Sequence, residues 1–229
     1  MRGALKKEQR YTGKGTKTLM RKLLLLTALI LACAATSLAQ STDDYKRVEF
    51  YGGYSHARVD TGVDDQDLQD LIGNTRGFNG FDTSITGNLS RYFGLKGDFT
   101  AHFKNDSFTD GTDTVNTKER IYNVLGGVQV KDNAEGARFK PFAHALAGIA
   151  HQTARFTAPL TADNFELKDT SFALKLGGGL DIRVSPKVDL RLIEVDYNPI
   201  FLGDQTFQGV TFQGQTQHNF TFGAGIVIH

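Results

Sequence analysis

Eight charged residues of both signs fall in otherwise apolar segments: Lys96 and Asp98, then Lys175, Asp181 and Arg183, then Asp189, Arg191 and Glu194. Most recur at alternate positions, so they share one face of extended chain, where opposite charges can pair into a closed network. That is chemistry that holds a structure together rather than chemistry that turns over a substrate. Other reactive residue types are placed less tellingly. His102, His144, His151 and His218 lack metal-ligand spacing and have no cysteine beside them, so no metal site is expected. Asp60, Asp64, Asp65, Asp67 and Asp70 cluster in one polar link, and Asp106, Asp110 and Asp113 in another. Clustered carboxylates can hold Ca²⁺ or Mg²⁺, but the ordered glycine and closing glutamate of a helix-loop-helix calcium site are missing. Solvated loop charge is the simpler reading. Gly177-Gly178-Gly179 and Gly223-x-Gly225 lie inside strand patterns rather than between a strand and a helix, which removes the phosphate-loop reading. Glycines so placed allow bending and close packing against aromatic neighbours. No Ser/His/Asp set stands out, so no catalytic residue and no cofactor is assigned.

The elements that must position these charges are strands. Apolar alternation of ten to fifteen residues appears at about 46–59, 78–91, 94–105, 117–130, 139–153, 170–184, 187–198 and 216–229. At Phe81–Ser90, Phe, Thr, Ile, Gly and Leu face one way and Asp82, Ser84, Thr86, Asn88 and Ser90 the other. Leu95–Lys104 and Ser171–Arg183 repeat the pattern, whereas the first and fifth stretches are ambiguous in phase. In the seventh the phase breaks at Leu192-Ile193, and a β-bulge there would return Glu194 and Asp196 to the polar face. The last stretch alternates to the end: Phe220, Phe222, Ala224, Ile226 and Ile228 against Asn219, Thr221, Gly223, Gly225 and Val227.

Connections alternate too. Long polar links are expected at about 60–77, 106–116, 154–169 and 199–215, and short ones at Tyr92-Phe93, Asp132 to Arg138 and Ser185-Pro186. Long links at one end and short ones at the other are the rule for an up-and-down barrel crossing an outer membrane. Both chain ends then lie on the periplasmic side. Tyr92, Phe93, Tyr197, Phe201, Phe207 and Phe212 fall near strand ends, where aromatic girdles form. A soluble barrel alternates as well, with its charges outside. The closing strand and a secretory leader favour the inverse arrangement, since each Lys or Arg facing lipid near the midplane would cost about 2–4 kcal/mol.

The leader follows from Arg21-Lys22, the apolar run Leu23 to Ala35, and the small-residue end Ser37-Leu38-Ala39. The run is shorter than the ~20 residues of a spanning helix. Residues 1–39 are thus expected to be an N-terminal extension plus a signal peptide (20–39, cleaved after Ala39), and 40–229 the mature domain. Met20 is the expected start. Cys33, the single cysteine, lies within this leader, where lipoprotein processing is the alternative. Residues 1–39 carry eight of the 26 Lys and Arg and one of the 25 Asp and Glu, leaving 18 against 24, a formal −6. Nucleic-acid binding, which wants a basic stripe, is not expected.

Val48-Glu49-Phe50-Tyr51-Gly52-Gly53-Tyr54-Ser55, Leu176 to Asp181, and Asn219 to Ile228 together resemble the small OmpA/OmpX-like outer-membrane β-barrels of Gram-negative bacteria. The resemblance implies an all-β fold, an eight-stranded antiparallel up-and-down transmembrane barrel, in the bacterial outer membrane. Thr221, Gly223, Ile226 and Ile228 look like the insertion signal read by the barrel assembly machinery, although the chain finishes on His229 rather than an aromatic residue. Outer-membrane lipid and lipopolysaccharide are the further partners implied, with a monomer as the expected state. The extracellular partner of the loops is not written in the sequence. The expected function is a non-enzymatic barrel with a plugged polar core and a structural or surface-interaction role. A narrow channel for ions or small solutes and a lipid-active enzyme are the alternatives.

Overall fold

The structure, a computed structural model, describes residues 45–60, 75–110, 113–134, 136–158, 163–207, 210–212 and 214–229. The expected leader and the aspartate-rich stretch Asp64–Asp70 lie outside these residues. Among them every regular element is a strand: β1 (Val48–Asp60), β2 (Thr75–Asn88), β3 (Phe93–Asp110), β4 (Asp113–Lys131), β5 (Phe139–Ala158), β6 (Asp163–Ser185), β7 (Val188–Tyr197), β8 (Ile200–Phe201), β9 (Gln205–Phe207), β10 (Val210–Phe212), β11 (Thr216–Gln217) and β12 (Phe220–Ile228). All pairings are antiparallel. β1 through β7 pair in chain order, β12 pairs with both β7 and β1, and the ten-stranded sheet closes on itself.

The ring has eight staves, because two of them are interrupted. Pro199 cannot donate to the ladder. Its carbonyl instead accepts the Leu174 amide at 3.0 Å, and β8 then resumes pairing with β6. On the neighbouring stave His218-Asn219 separates β11 from β12, and the Asn198 amide donates to the Asn219 carbonyl at 2.8 Å. β9 and β10 form a separate hairpin.

Period two holds around the ring. On every stave large apolar residues face outward and are exposed, among them Phe50, Phe81, Phe99, Val124, Ile149, Phe172, Leu190, Phe222 and Ile226. Such a continuous apolar belt is not a surface that water tolerates. It runs from Phe93 to Phe103 along β3, which at the rise and tilt of barrel strands is about 25 Å tall, the height of a bilayer core. Inward residues are buried and mostly polar or charged. The phase break in β7 is a bulge. Leu180 pairs with Ile193 while Asp181 pairs with Arg191, so Leu192 and Ile193 both face outward and Glu194 and Asp196 both face in.

Two expected loops are largely strand. β3 and β4 stay paired up to Asp110↔Asp113, and β5 and β6 up to Ala158↔Asp163, where long polar links were expected at 106–116 and 154–169. Here both faces are wet, so the residues carry no hydrophobic alternation and only the backbone ladder continues.

Inward glycines make room for aromatic rings. Gly53 and Gly225 pair across the β1–β12 seam beneath the Tyr51 ring. A Cβ on Gly225 would lie 2.9 Å from that ring and closer still to the Gly52 carbonyl, and one on Gly179 would lie 2.9 Å from Phe142. Gly52, on the outward face, has open space around it. Gly225→Val is therefore expected to destabilise the folded barrel by about 1–3 kcal/mol in urea titrations in lipid vesicles. Gly52→Ala should leave it nearly unchanged, and equal effects of the two would contradict this packing.

Candidate functional site: the lumen

The inward charges form one connected set. Near the short-turn end, Lys140 Nζ lies 2.8 Å from Asp189, whose same oxygen is 2.8 Å from His229 Nε2. His229 Nδ1 is 3.8 Å from Glu49, and Glu49 takes Lys131 Nζ at 2.9 Å. Lys131 bridges onward to Asp181 at 2.8 Å. Asp181 receives Arg191 through two bonds, Nε at 2.8 Å and Nη2 at 3.1 Å, the fork geometry that suits guanidinium and carboxylate. Arg191 Nη1 reaches Glu194 at 3.0 Å, and Glu194 takes Lys96 at 3.2 Å. Beyond Lys96 lies Asp98, at 3.7 Å, and Asp98 meets Lys175 at 2.6 Å. Lys175 also binds Asp82 at 3.0 Å and approaches Asp196 at 3.9 Å. Thr221 Oγ1 donates to Asp196 at 3.2 Å.

Aromatic rings complete the packing. The Arg191 guanidinium is held between Tyr51 and Phe142, 4.1 Å and 4.0 Å from the two ring centroids. Cation–π attraction of this kind strengthens when water is excluded. Lys175, Asp181 and Asp189 are wholly buried. An eight-stranded barrel is only wide enough for side chains to fill, and here charged side chains fill it.

Of the residues singled out from sequence, Lys96, Asp98, Lys175, Asp181, Asp189, Arg191 and Glu194 all lie in this set. Arg183 lies half-buried toward the short-turn end of β6, opposite Asp189 in register. Sequence reasoning did not place Glu49, Asp82, Lys131, Lys140, His144, Asp196 or His229 in the network. Of the four histidines, His102 accepts or donates a bond with Ser55 at 2.9 Å inside the lumen, while His151 and His218 bond Thr170 and Tyr197 on the outside.

His144, Glu194 and Asp196 bring ligand atoms within 4.8 Å of one another. Lys96 Nζ already sits 3.2 Å from both His144 Nδ1 and Glu194 Oε1, and its charge opposes a second cation beside it, while His144 Nε2 faces Asp196 at 3.0 Å. The cluster therefore fits an ammonium group better than a metal ion.

Above the ions the lumen turns apolar. Ala57, Val59, Phe78, Ile121, Leu125, Leu146, Ala150, Ala173 and Ile200 form a buried layer toward the long-loop end. Over it opens a cavity of about 270 Å³, whose wall includes Val59, Arg76, Phe78, Glu119, Ile121 and Gln152. At this rim Arg76 binds Glu119 at 2.6 Å and Asp106 at 2.9 Å. Burial pushes the Asp106 carboxyl up, but hydrogen bonds from Arg76 and Lys104 together with their charges outweigh it and hold the group below the ordinary carboxylate range.

Thr221 and Gly223 face the lumen, and Ile226 and Ile228 stand exposed on the outer belt. Of the expected girdle, Tyr92, Phe93 and Phe201 are exposed at strand ends and Tyr197 is partly so. The Phe207 and Phe212 side chains lie outside the described residues.

Replacing Lys175 by Met leaves Asp82, Asp98 and Asp196 without their shared cation. Stranding buried charge costs about 3–5 kcal/mol, so K175M should lose that much stability to urea in lipid vesicles. Adding Asp98→Asn to it should restore part of the loss, because one stranded charge is then gone. A K175M barrel as stable as the parent would show that the lumen ions do not depend on one another.

No curated protein matches the sequence significantly. Among solved structures the chain is similar to Ail, the attachment invasion locus protein of Yersinia pestis, at 18% identity over 80% of this chain and 98% of that one, with a TM-score of 0.49. It is similar to Neisserial surface protein A (NspA) at 12% identity over 79% and 96% of the two chains, TM-score 0.47. It is similar also to the outer membrane protease OmpT from Escherichia coli at 11% identity over 83% and 99%, TM-score 0.46. The family described as outer membrane protein beta-barrel domain matches residues 25–226, which is most of the chain. The protein belongs to that family, and its place is the bacterial outer membrane.

Proposed function

We propose that this protein is a non-conducting outer-membrane barrel that acts through its extracellular end. The observation that carries the reading is the continuous run of charged side chains, with His229 among them, from Lys140 to Asp82, its core residues shut off from water. A conducting pore needs mobile ions and exchangeable water along its length. In this lumen Lys96, Lys131, Lys140, Lys175 and Arg191 each have a carboxylate within 3.2 Å, and an apolar layer lies over the set. To open a path, several buried pairs would have to separate together, at a cost of several kcal/mol each.

The same layering supports a non-enzymatic role. Ser55 and His102 are hydrogen-bonded and could act as nucleophile and base, but both are buried beneath Ala57, Val59 and Phe78. A substrate has no approach to them. What remains accessible is the rim, carried outward by the long β3–β4 and β5–β6 hairpins. A structural or surface-interaction role is the one that uses these parts. Insertion by the barrel assembly machinery belongs to the same proposal, supported by Ile226 and Ile228 on the outer face of β12.

Purified protein refolded into planar bilayers is expected to show no steady ohmic conductance. Asp98→Ala with Lys175→Ala, which removes the central pair, should introduce brief openings. Stable conductance from the unaltered chain would replace this reading with that of a narrow channel.

A further inference from the structure

The cavity at the long-loop end takes no part in the ion network below it. Its floor is apolar, formed by Val59, Phe78 and Ile121. Register sets polar residues beside them: Arg76 is directly opposite Val59, and Gln152 opposite Ile121. An apolar surface and a few convergent polar groups thus meet in one small concave space, the make-up of a ligand site.

The polar groups are held in place before anything binds. Arg76 Nη1 donates to Glu119 Oε1 at 2.6 Å, which ties β2 to β4. Gln152 Nε2 donates to Gln217 Oε1 at 2.8 Å, which ties β5 to β11. Gln217 Nε2 donates in turn to the Asp60 carbonyl of β1 at 3.0 Å. Groups fixed in this way lose little freedom when a ligand arrives. Each also keeps capacity to spare. Glu119 keeps Oε2, Gln152 keeps Oε1, and the Gln217 amide nitrogen has a second proton. The spare set holds acceptors and a donor together.

Charge and size narrow the ligand. Arg76 and Arg120 line the cavity with Asp60 and Glu119, so the formal charges balance and no net field draws an ion. A fatty chain would cover the floor but leave the acceptors without donors, which is unfavourable once water is displaced. A hydroxyl donates and accepts at once, so several hydroxyls on a rigid ring match a mixed set. The C–H face of such a ring suits the floor. The volume, about 270 Å³, lies just under the ~300–1,000 Å³ of ordinary ligand pockets, which is room for one ring rather than a chain of them.

We propose that this cavity binds a single uncharged sugar ring, with Glu119, Gln152 and Gln217 bonding its hydroxyls and Val59, Phe78 and Ile121 beneath its C–H face. The inference rests on the reading of the extracellular end as the acting part of the barrel, and it names the class of ligand held there. A free monosaccharide and the terminal residue of a glycan both present this chemistry.

The test uses the full mature barrel in phosphatidylcholine nanodiscs, with saturation-transfer NMR against the methyl pyranosides of glucose, galactose, mannose and N-acetylglucosamine. At least one should bind saturably. Gln152→Leu should weaken it roughly fivefold to tenfold, as expected for the loss of one hydrogen bond. Ala154→Phe, which fills the cavity, should remove binding, and Lys118→Gln, exposed on the outward face of β4, should leave it unchanged. In the unaltered protein the bound glycoside should shift the Ile121 methyl resonances, a readout that needs no variant to fold. Trisaccharides ending in the same ring separate the two sources: binding equal to the methyl glycoside assigns the site to a glycan end, and exclusion of the trisaccharide assigns it to free sugar. Saturable binding by none of the glycosides, equal binding by Q152L and the unaltered chain, or preference for octanoate or for a sulfated form of the same sugar would overturn the proposal. Loss of sugar binding without conductance would overturn it and leave the non-conducting reading standing. Sugar binding by a barrel that conducts would do the reverse.

Discussion

An ammonium group out of reach of water sits in the middle of the barrel. Lys175 is wholly buried, and the carboxylates of Asp82 and Asp98, with Asp196 farther off, make that position tolerable. Taking an unpaired charge from water into such a place would cost several kcal/mol, a large part of the net stability of a protein. The carboxylates in turn need Lys175, and through Asp98 and Glu194 they are tied to Lys96 and Arg191. The rest of the wall follows from this mutual dependence. Each stave must bring its charged residues to the same side, so the apolar residues are forced to the other, where a bilayer receives them.

Packing demands a second condition. Arg191 cannot be surrounded by carboxylates alone, and Tyr51 and Phe142 cover its two faces. Rings of that size fit into an eight-stave lumen only if the facing wall is bare. Gly53, Gly225 and Gly179 provide the bare wall. The glycines, the rings and the guanidinium are thus one device. It accounts for the presence of strand glycines without any appeal to nucleotide binding.

The same device limits what could be read from the sequence. β2, β3, β6 and β12 alternate cleanly, and their faces were legible from residues such as Asp82, Lys96, Lys175 and Thr221. So was the bulge at Leu192-Ile193, because the parity of Glu194 and Asp196 required it. β1 and β5 were ambiguous in phase because their inward faces carry aromatic and aliphatic residues as well as ions: Glu49 and Tyr51 on β1, and Lys140, Phe142, His144 and Leu146 on β5. A face that mixes Phe with Lys gives no hydropathy contrast. Glu49, Lys140 and His144 were missed for that reason. Lys131 ends β4, and Asp82 and Asp196 lie on faces read as polar without a partner in view; only the closed ring brings them to Glu49 and Lys175. The upper hairpins escaped notice for a different reason. Water lies on both sides of them, and the ladder alone keeps them as strands.

The account rests on orientation, and a quenching scan along β6 tests it most directly. Single fluorophores placed in turn at Ser171, Phe172, Ala173, Leu174 and Leu176, with the protein in vesicles, are exposed to brominated lipid and then to aqueous iodide. Lipid-borne bromine should quench Phe172, Leu174 and Leu176 and spare Ser171 and Ala173, a strict period of two. Iodide that reached Leu174 freely, with bromine having no effect there, would contradict the arrangement of grease toward acyl chains and ions toward one another.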